Sequence, residues 1–155
     1  MTVDLDTLYP VMEEYLRQGK EVTFTITGRS MAPTLRHGRD QVTVTKPSGP
    51  LKKGDLPLYR RDNGKFILHR VVGVSGGEYV MCGDGQAACE RGITDGNILA
   101  VAVGIVRNGK KIPVSSPGYR LWVSLWIGLL PVRRYLLRII RLMRPELFVI
   151  DRDGK

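Results

Sequence analysis

The chain has few of the side chains from which metal sites and disulfide frameworks are built. Its 155 residues include only two cysteines, Cys82 and Cys89, and two histidines, His37 and His69. The spacing of the cysteines matches no zinc-binding pattern, and two cysteines are too few for a disulfide scaffold. We therefore expect no metal ion and no other cofactor. Both thiols are expected to be reduced, as in an intracellular protein.

Long apolar runs are missing as well. The longest stretch nearly free of charge, residues 121–132, spans 12 residues, whereas a transmembrane helix needs about 20. The first 18 residues hold four acidic side chains and no apolar run of useful length, so no signal peptide is expected there. The length of the chain indicates one domain that is large enough to bury a core.

Acidic residues are absent from residues 107–145, which carry nine Lys and Arg. Residues 1–106 are nearly balanced, with 13 Lys and Arg against 12 Asp and Glu. The net charge of +9 thus belongs to one segment, whereas a nucleic-acid-binding protein more often spreads its basic residues over a recognition surface. Because the arginines alternate with Trp, Leu and Ile, the expected partner is an anionic membrane surface and not a nucleic acid.

The basic segment divides into an apolar part, residues 119–130, and a predicted amphipathic helix, residues 132–144. In that helix the arginines fall within one arc of about 140°, and Leu137 is the apolar residue that lies among them. The residues expected to contact the membrane are Trp122, Trp126, Arg134, Arg138 and Arg141. Two alternatives remain: the helix packs against its own domain or a partner, or the tryptophan segment inserts as a hairpin. The acidic N-terminus and the arginines favour a peripheral location on the cytoplasmic face.

The remainder of the sequence predicts a mainly-β fold with a short N-terminal helix and a C-terminal amphipathic helical tail. The helix is expected to run through about Gln18, and Pro10 places its firm start near Leu8. Alternating or apolar strand patterns occupy residues 21–27, 42–44, 58–59, 66–74, 78–82 and 98–107. Many short strands separated by turns favour a folded β-ribbon or barrel. The predicted divisions are the helix (1–19), the main domain (20–112) and the tail (113–155).

Two residues in this framework have the chemistry of a nucleophile and its base. Ser30 follows a strand and a glycine, and Pro33 disfavours helix at Ala32, so the serine is expected on an extended bend. His69 is expected on a largely apolar face, where an imidazole stays neutral near pH 7 and can accept a proton. Each has an ordinary alternative, a turn serine and a core histidine. His37, in a polar turn, is expected to be solvated.

Five short motifs in order resemble those of signal peptidase I and its mitochondrial inner-membrane relatives, over residues 20–107. They are Gly28-x-Ser30-Met31-x-Pro33-Thr34-Leu35, Gly38-Arg39-Asp40-x-Val42-x-Val44, Lys53-Gly54-Asp55-Leu56, His69-Arg70-Val71-Val72-Gly73 and Gly83-Asp84-Gly85. The resemblance implies the folded β-ribbon of that family and cleavage of peptide bonds by a serine. Most bacterial members use a lysine base, so His69 places the chain closer to the Ser-His branch.

The resemblance also assigns roles to individual residues. Ser30 is the expected nucleophile, His69 its base, and the Ser30 amide a donor to the oxyanion. Gly28 and Met31 are expected to line the substrate and oxyanion site, with Gly28 standing where many relatives have a serine. The acid that orients His69 is expected to be Asp84, ahead of Asp95 and Glu90. The alternative role of Asp84 is to cap backbone amides in a turn.

The function predicted from the sequence is that of a serine endopeptidase that cleaves an extended signal or leader peptide. The family resemblance implies small side chains before the scissile bond. A related self-cleaving repressor is disfavoured, because about 20 residues before the first strand leave no room for a DNA-binding domain. A non-catalytic peptide- or membrane-binding module is the other alternative, because the motif that begins at Gly83 lacks the usual Asn and Ser.

Overall fold

A computed structural model describes residues 5–149 of the chain. In chain order the described elements are α1 (Leu5–Arg17), β1 (Val22–Thr25), β2 (Gln41–Thr45), β3 (Pro57–Arg60), β4 (Phe66–Leu68), β5 (Arg70–Ser75), β6 (Glu78–Cys82), β7 (Glu90–Ile93), β8 (Ile98–Arg107), β9 (Lys110–Pro113), α2 (Pro117–Gly128) and α3 (Arg133–Met143). The mainly-β prediction is confirmed. Residues 1–4 of the predicted N-terminal segment and 150–155 of the predicted tail lie outside the described residues.

The strands form two antiparallel sheets. The larger one curls into half a barrel with the order β1-β2-β8-β3-β4, and β9 also pairs with β8. The smaller one has the order β5-β6-β7. Register shifts at Thr43/Val44 and at Leu58/Tyr59 interrupt the pairing of β8 with its neighbours. Such bulges increase the local twist, which lets the long strand β8 serve as the spine of a curled sheet.

The single strand predicted for residues 66–74 is divided at His69. Leu68 pairs with Leu58 in the large sheet, whereas Arg70 pairs with Cys82 in the small one. Both halves of this stretch have the alternating pattern of a strand. They pair with different sheets, however, so the chain must leave one sheet before it enters the other. His69 is the residue between the two strands, and its backbone is fixed by both sheets.

Helix α1 begins at Leu5 and not near Leu8, so Pro10 lies inside it. A proline removes one helical hydrogen bond and crowds the carbonyl four residues earlier. The first turn is held by tertiary packing instead, since Leu5 and Leu8 pack against the same core that buries Met12 and Leu16. Burial of each large apolar side chain contributes about 1.5–3 kcal/mol, enough to offset the missing bond.

Strands β7 and β9 were not predicted. The signal for β9 is the Asn108-Gly109 pair, where both residues have positive φ, 51° and 74°. That conformation is typical of a two-residue hairpin turn, and Asn-Gly is its preferred sequence. Two further glycine-containing turns, Asn63-Gly64 and Gly76-Gly77, lie between the paired strands β3–β4 and β5–β6.

The core has a main part beneath the large sheet and smaller parts that join other elements to it. A second cluster lies between the sheets and contains Leu51, Tyr59, Val71, Tyr79, Met81 and Ile93. Two further clusters attach the tail: Trp126 and Leu137 pack on Ala32, while Val123 and Ile127 pack on the small sheet. The tail is therefore part of the folded body.

Candidate active site

Ser30 lies in the turn-rich connection between β1 and β2 and is half-buried. Gly28, two residues earlier, has a φ of 81°, a conformation that side-chain-bearing residues adopt only with strain. Its N–H donates to Nδ1 of His37 at 2.8 Å, so the imidazole of His37 holds this turn. His37 is half-buried and supports the serine loop, which differs from the solvated position expected for it.

The Ser30 loop is also held from the other side by the Gly83-Asp84-Gly85 motif. Gly85 N–H donates to the Ser30 carbonyl at 2.8 Å. A Cβ at Gly83 would lie 2.5 Å from that carbonyl oxygen and 3.1 Å from His69 Nε2. Only glycine permits so close an approach. This motif therefore brings the backbone of the serine and the imidazole of the histidine to the same small space.

The backbone N–H of Ser30 has no hydrogen-bond acceptor among residues 5–149, and neither has that of Met31. The N–H of Gly28 is bonded to His37. The three positions expected around the oxyanion are Gly28, Ser30 and Met31. Of these, Ser30 and Met31 have a backbone N–H that could donate a hydrogen bond to it. An unused N–H beside a nucleophile is what oxyanion stabilisation requires. The side chain of Met31 itself is buried in the main core.

His69 is buried, with 5% of its surface exposed. Its Nδ1 lies 3.4 Å from Tyr59 Oη, which donates to Glu90 Oε2 at 2.8 Å. Because the single hydroxyl proton of Tyr59 goes to the carboxylate, its oxygen can only accept from His69. That arrangement favours the tautomer with the proton on Nδ1, and it leaves Nε2 unprotonated and directed at Gly83.

Charge and burial keep His69 neutral. Burial, with a smaller contribution from the nearby Arg61 charge, lowers the pKa of His69 to about 4. Burial alone would raise the pKa of Glu90, but hydrogen bonds from Arg61 and Tyr59 hold it below its usual value. Glu90 is therefore ionised and His69 neutral at pH 7, the protonation states of an orienting acid and a general base.

The structure places the three candidate acids in different surroundings. Asp84, ranked first, accepts two hydrogen bonds from Arg70, at 2.9 and 2.8 Å, and both side chains are fully buried. Asp95 accepts a 2.6 Å hydrogen bond from Tyr79. Glu90, one of the two alternatives, is the acid connected to His69, through the hydroxyl of Tyr59. The geometry therefore favours Glu90 over Asp84, the acid ranked first from the sequence, because no hydrogen bond among the described residues joins Asp84 to the side chain of His69.

Tyr59 was not recognised as a site residue from the sequence. It lies fully buried on β3 and resembles any core aromatic in its local pattern. Its hydroxyl meets Glu90 from 31 positions along the chain. The available signal was a tyrosine directly before Arg60 and Arg61, but nothing local distinguishes it from Tyr79 in the same core cluster.

Ser30 and His69 line one small apolar cavity of about 230 Å³. The rest of its wall is contributed by α1, β1, the connection after β1, and β4, with Leu5, Phe24, Ile26, Phe66 and Leu68 among the lining residues. The cavity offers an apolar recess beside both reactive side chains.

The tail packs on the body beside this site. Trp126 is buried and its indole donates to the Asp84 carbonyl at 3.0 Å, while the Trp122 indole donates to Thr34 Oγ1 at 3.0 Å. Arg133 is fully buried and donates to the Trp126 carbonyl at 2.6 Å. Trp126 is therefore not available to a membrane, which corrects its expected role. Its burial instead holds α2 against the Asp84 turn.

Helix α3 packs on the body through Leu137, which is buried. Arg134, Arg138 and Arg141 are exposed, and they line an open cavity that also has His69 in its wall. These arginines therefore lie beside the candidate site and also face solvent. The outer face of α2 and α3 carries exposed apolar side chains, Leu121, Trp122, Leu125, Leu129, Val132, Tyr135, Ile139, Leu142 and Met143.

None of the helices in the described part of the chain is long and apolar enough to cross a membrane. Within residues 5–149 no group of three or more His, Cys, Asp or Glu is placed to hold a metal ion. No protein-family model matches the chain, and no curated protein matches it.

Proposed function

We propose that the protein is a serine endopeptidase in which Ser30 is the nucleophile and His69 the general base. The observation that carries the proposal is the shared location of the two residues. Both line one cavity, and the unprotonated Nε2 of His69 faces Gly83, against which the Ser30 backbone packs. The order of the five sequence motifs supports kinship with the signal-peptidase-like enzymes.

In the proposed reaction, Ser30 Oγ attacks the scissile carbonyl carbon while its proton passes to His69 Nε2. The new O–C bond gives a tetrahedral intermediate, whose negative oxygen accepts from the Ser30 amide. The C–N bond then breaks, and the leaving amine takes the proton from His69. A water molecule activated by His69 hydrolyses the acyl-enzyme and regenerates Ser30. Glu90 and Tyr59 hold the imidazole in the tautomer that these steps require.

The substrate class follows from the recess and from the family resemblance. An apolar side chain of a peptide fits the cavity formed by α1, β1 and β4 beside Ser30. An extended peptide can pair with a strand edge while its side chains enter such recesses. We therefore propose an extended signal or leader peptide as the substrate, with a small residue before the scissile bond.

The test is labelling with a fluorophosphonate, which reacts with activated serines. We expect the wild-type protein to be labelled and Ser30→Ala and His69→Ala to lose the label. Ser48→Ala is the matched control, because Ser48 is exposed in a loop. Equal labelling of wild type and Ser30→Ala would overturn the proposal in favour of a non-catalytic module.

We also propose that the outer face of α2 and α3 docks on an anionic membrane. The exposed residues of this face include Trp122 and Leu125, and the segment that carries it has no acidic residue between 107 and 145. Apolar side chains with an interfacial tryptophan, in a region of net positive charge, suit the headgroup boundary of anionic bilayers. The peripheral location on the cytoplasmic leaflet expected from the sequence remains part of this proposal.

Co-sedimentation with phosphatidylglycerol-containing vesicles at low salt tests the docking face. We expect wild type to sediment with the vesicles and Leu125→Gln plus Leu142→Gln to remain in solution. Val11→Gln, at an exposed position on α1, is the matched control and should sediment like wild type. If wild type stays in the supernatant, the membrane proposal fails, and the peptidase proposal is unaffected.

A further inference from the structure

A second, larger cavity adjoins His69 on the side of α3. It has a volume of about 720 Å³ and is bounded by the connection between β6 and β7 on one side and by α3 on the other. Four arginines lie in its wall, Arg61 before the β3–β4 turn and Arg134, Arg138 and Arg141 on α3. Of the residues that line this cavity and the apolar one, only His69 is common to both. The two recesses thus meet at the candidate base.

The positive charge of this cavity is not balanced within the described chain. Glu90 is the one acidic residue in its wall, and Arg61 occupies both of its oxygens at 2.8 and 2.9 Å. Arg141 donates to the Gly85 carbonyl at 3.2 Å. Among residues 5–149 no carboxylate forms an ion pair with Arg134, Arg138 or Arg141.

A further arginine adds charge at the base of α3. Arg133 is fully buried and bonds to neutral groups, the Trp126 carbonyl and Cys82 Sγ. Its Nε has no hydrogen-bond partner among the described residues. A buried charge without a carboxylate is screened weakly. The inner side of α3 therefore has a positive potential that an anionic group near His69 would relieve.

We propose that this cavity binds a carboxylate of the substrate, an Asp or Glu side chain a few residues from the scissile bond. The inference rests on the proposed peptidase function and extends it to a specificity. Arginine suits the role because its planar fork donates two hydrogen bonds to one carboxylate. On this view the substrate presents an apolar side chain to the cavity at Ser30 and an acidic one to the cavity on the other side of His69.

A peptide carboxylate is preferred to a lipid phosphate because of where the cavity lies. Its wall is formed by α3, the connection between β6 and β7, and His69, so a ligand bound there lies beside the candidate base. The α3 arginines that line it are exposed, which leaves the cavity open to a peptide from solvent.

The experiment measures binding with the Ser30→Ala protein, so that no cleavage is needed. The probes are fluorescein-labelled ten-residue Ala/Leu peptides with one Glu, moved position by position, each matched with the Gln peptide. We expect one position at which Glu binds about 10-fold more tightly than Gln, the effect of one charge-assisted contact. Arg134→Gln plus Arg138→Gln should abolish that preference. Arg120→Gln, an exposed arginine outside the cavity, should retain it.

A charge-reversal variant provides an independent test if the double variant folds poorly. Arg138→Glu should prefer the matched Lys peptide at the same position. Equal binding of Glu and Gln peptides at every position, or a preference lost equally in Arg120→Gln, would overturn the inference. Perturbation of the α3 arginine Nε–H NMR signals by anionic vesicles but not by Glu peptides would overturn it in favour of lipid. If wild type cleaves none of these peptides while the preference holds, the peptidase proposal fails and the anion site stands.

Discussion

Two guanidinium–carboxylate pairs lie beside the candidate site. They differ in how deeply they are buried and in the further hydrogen bonds that they make. In the Arg70–Asp84 pair both side chains are completely buried, and the remaining Arg70 nitrogen donates to the Gly54 carbonyl and the Tyr119 hydroxyl. In the Arg61–Glu90 pair, 33% and 28% of the side chains are exposed. The first pair joins a strand, a turn and α2. The second borders a cavity and continues through Tyr59 to His69.

The difference shows why proximity to a histidine does not identify its orienting acid. A carboxylate whose two oxygens are both bound by an arginine can still accept further hydrogen bonds. Glu90 binds Arg61 through both oxygens and accepts a third hydrogen bond, from Tyr59, whereas the described residues show no hydrogen bond from Asp84 to His69. The connection through Tyr59 therefore distinguishes the two acids.

The largest expected effect comes from breaking the fully buried Arg70–Asp84 pair. Asp84→Asn leaves the Arg70 charge buried without a counter-charge, which costs about 3–5 kcal/mol of unfolding free energy. Urea unfolding followed by circular dichroism measures it. Glu90→Gln, at the half-exposed pair, is the matched control and should cost less than about 1 kcal/mol. A similar loss in both variants would contradict the distinction between the pairs.

The next effect is on the pH dependence of stability, and it concerns His69, the group to which the Arg61–Glu90 pair is connected. His69 has a pKa of about 4 when folded, below the value of 6.5 expected when unfolded. Between these values the unfolded chain binds more protons, so stability is lost as pH falls from 6.5 to 4 and is unaffected above that window. The loss attributable to His69 is about 3 kcal/mol.

Comparison with His69→Gln isolates this contribution from the carboxylates that titrate at lower pH. The difference in unfolding free energy between wild type and His69→Gln should shift by that amount between pH 7 and pH 4. A constant difference over this range would mean that the imidazole is not held neutral by burial.

The third effect is on activity, and we expect it only for the partly exposed Arg61–Glu90 pair and its connection to His69. Tyr59→Phe removes the hydroxyl between Glu90 and His69, and we expect kcat/KM to fall by about 10- to 100-fold through loss of the preferred tautomer. Glu90→Gln should have a similar effect, and the double variant should lose little more than either, because both act through one connection.

Tyr79→Phe is the matched control for this prediction. It removes a hydroxyl from the same core cluster that bonds Asp95 instead of Glu90, so kcat/KM should stay within about twofold of wild type. Should Asp95→Asn or Tyr79→Phe lower kcat/KM as far as Tyr59→Phe does, the acid would be misassigned.

Much of the fold could be predicted from local pattern. The alternation around Val42 and Val44 and the apolar run of residues 98–107 predicted β2 and β8, which the structure confirms. The division at His69 could not be predicted, because residues 66–74 alternate without interruption and the division depends on which strands pair with each half.

The two residues chosen from the sequence motifs line one cavity in the structure, whereas the side chains that contact them could not be predicted. Ser30 and His69 stand out by sequence motif, but Tyr59 acquires its position from an acid on another strand. The tail shows the same limit. Helix α3 was predicted from its periodicity, whereas its orientation depends on Leu137, the one apolar residue among the arginines. The structure buries Leu137, and the exposed side chains of Arg134, Arg138 and Arg141 line the cavity beside His69.

The last comparison makes the same conservative change in both pairs, and its effect at Arg61 is the smallest expected. Arg61→Lys replaces a two-bond fork by a single ammonium at a site about one third exposed, so the unfolding free energy should change by no more than about 1 kcal/mol. Arg70→Lys removes donors from Asp84, Gly54 and Tyr119 at full burial, and we expect a loss of about 2–4 kcal/mol. Urea unfolding of the two variants gives both values. Because Arg61 also fixes Glu90, kcat/KM of Arg61→Lys should fall a few-fold while its stability is nearly unchanged, whereas Arg70→Lys should lose stability first. Equal stability losses in the two variants would mean that depth does not distinguish the pairs, and Asp84 would again compete with Glu90 as the partner of His69.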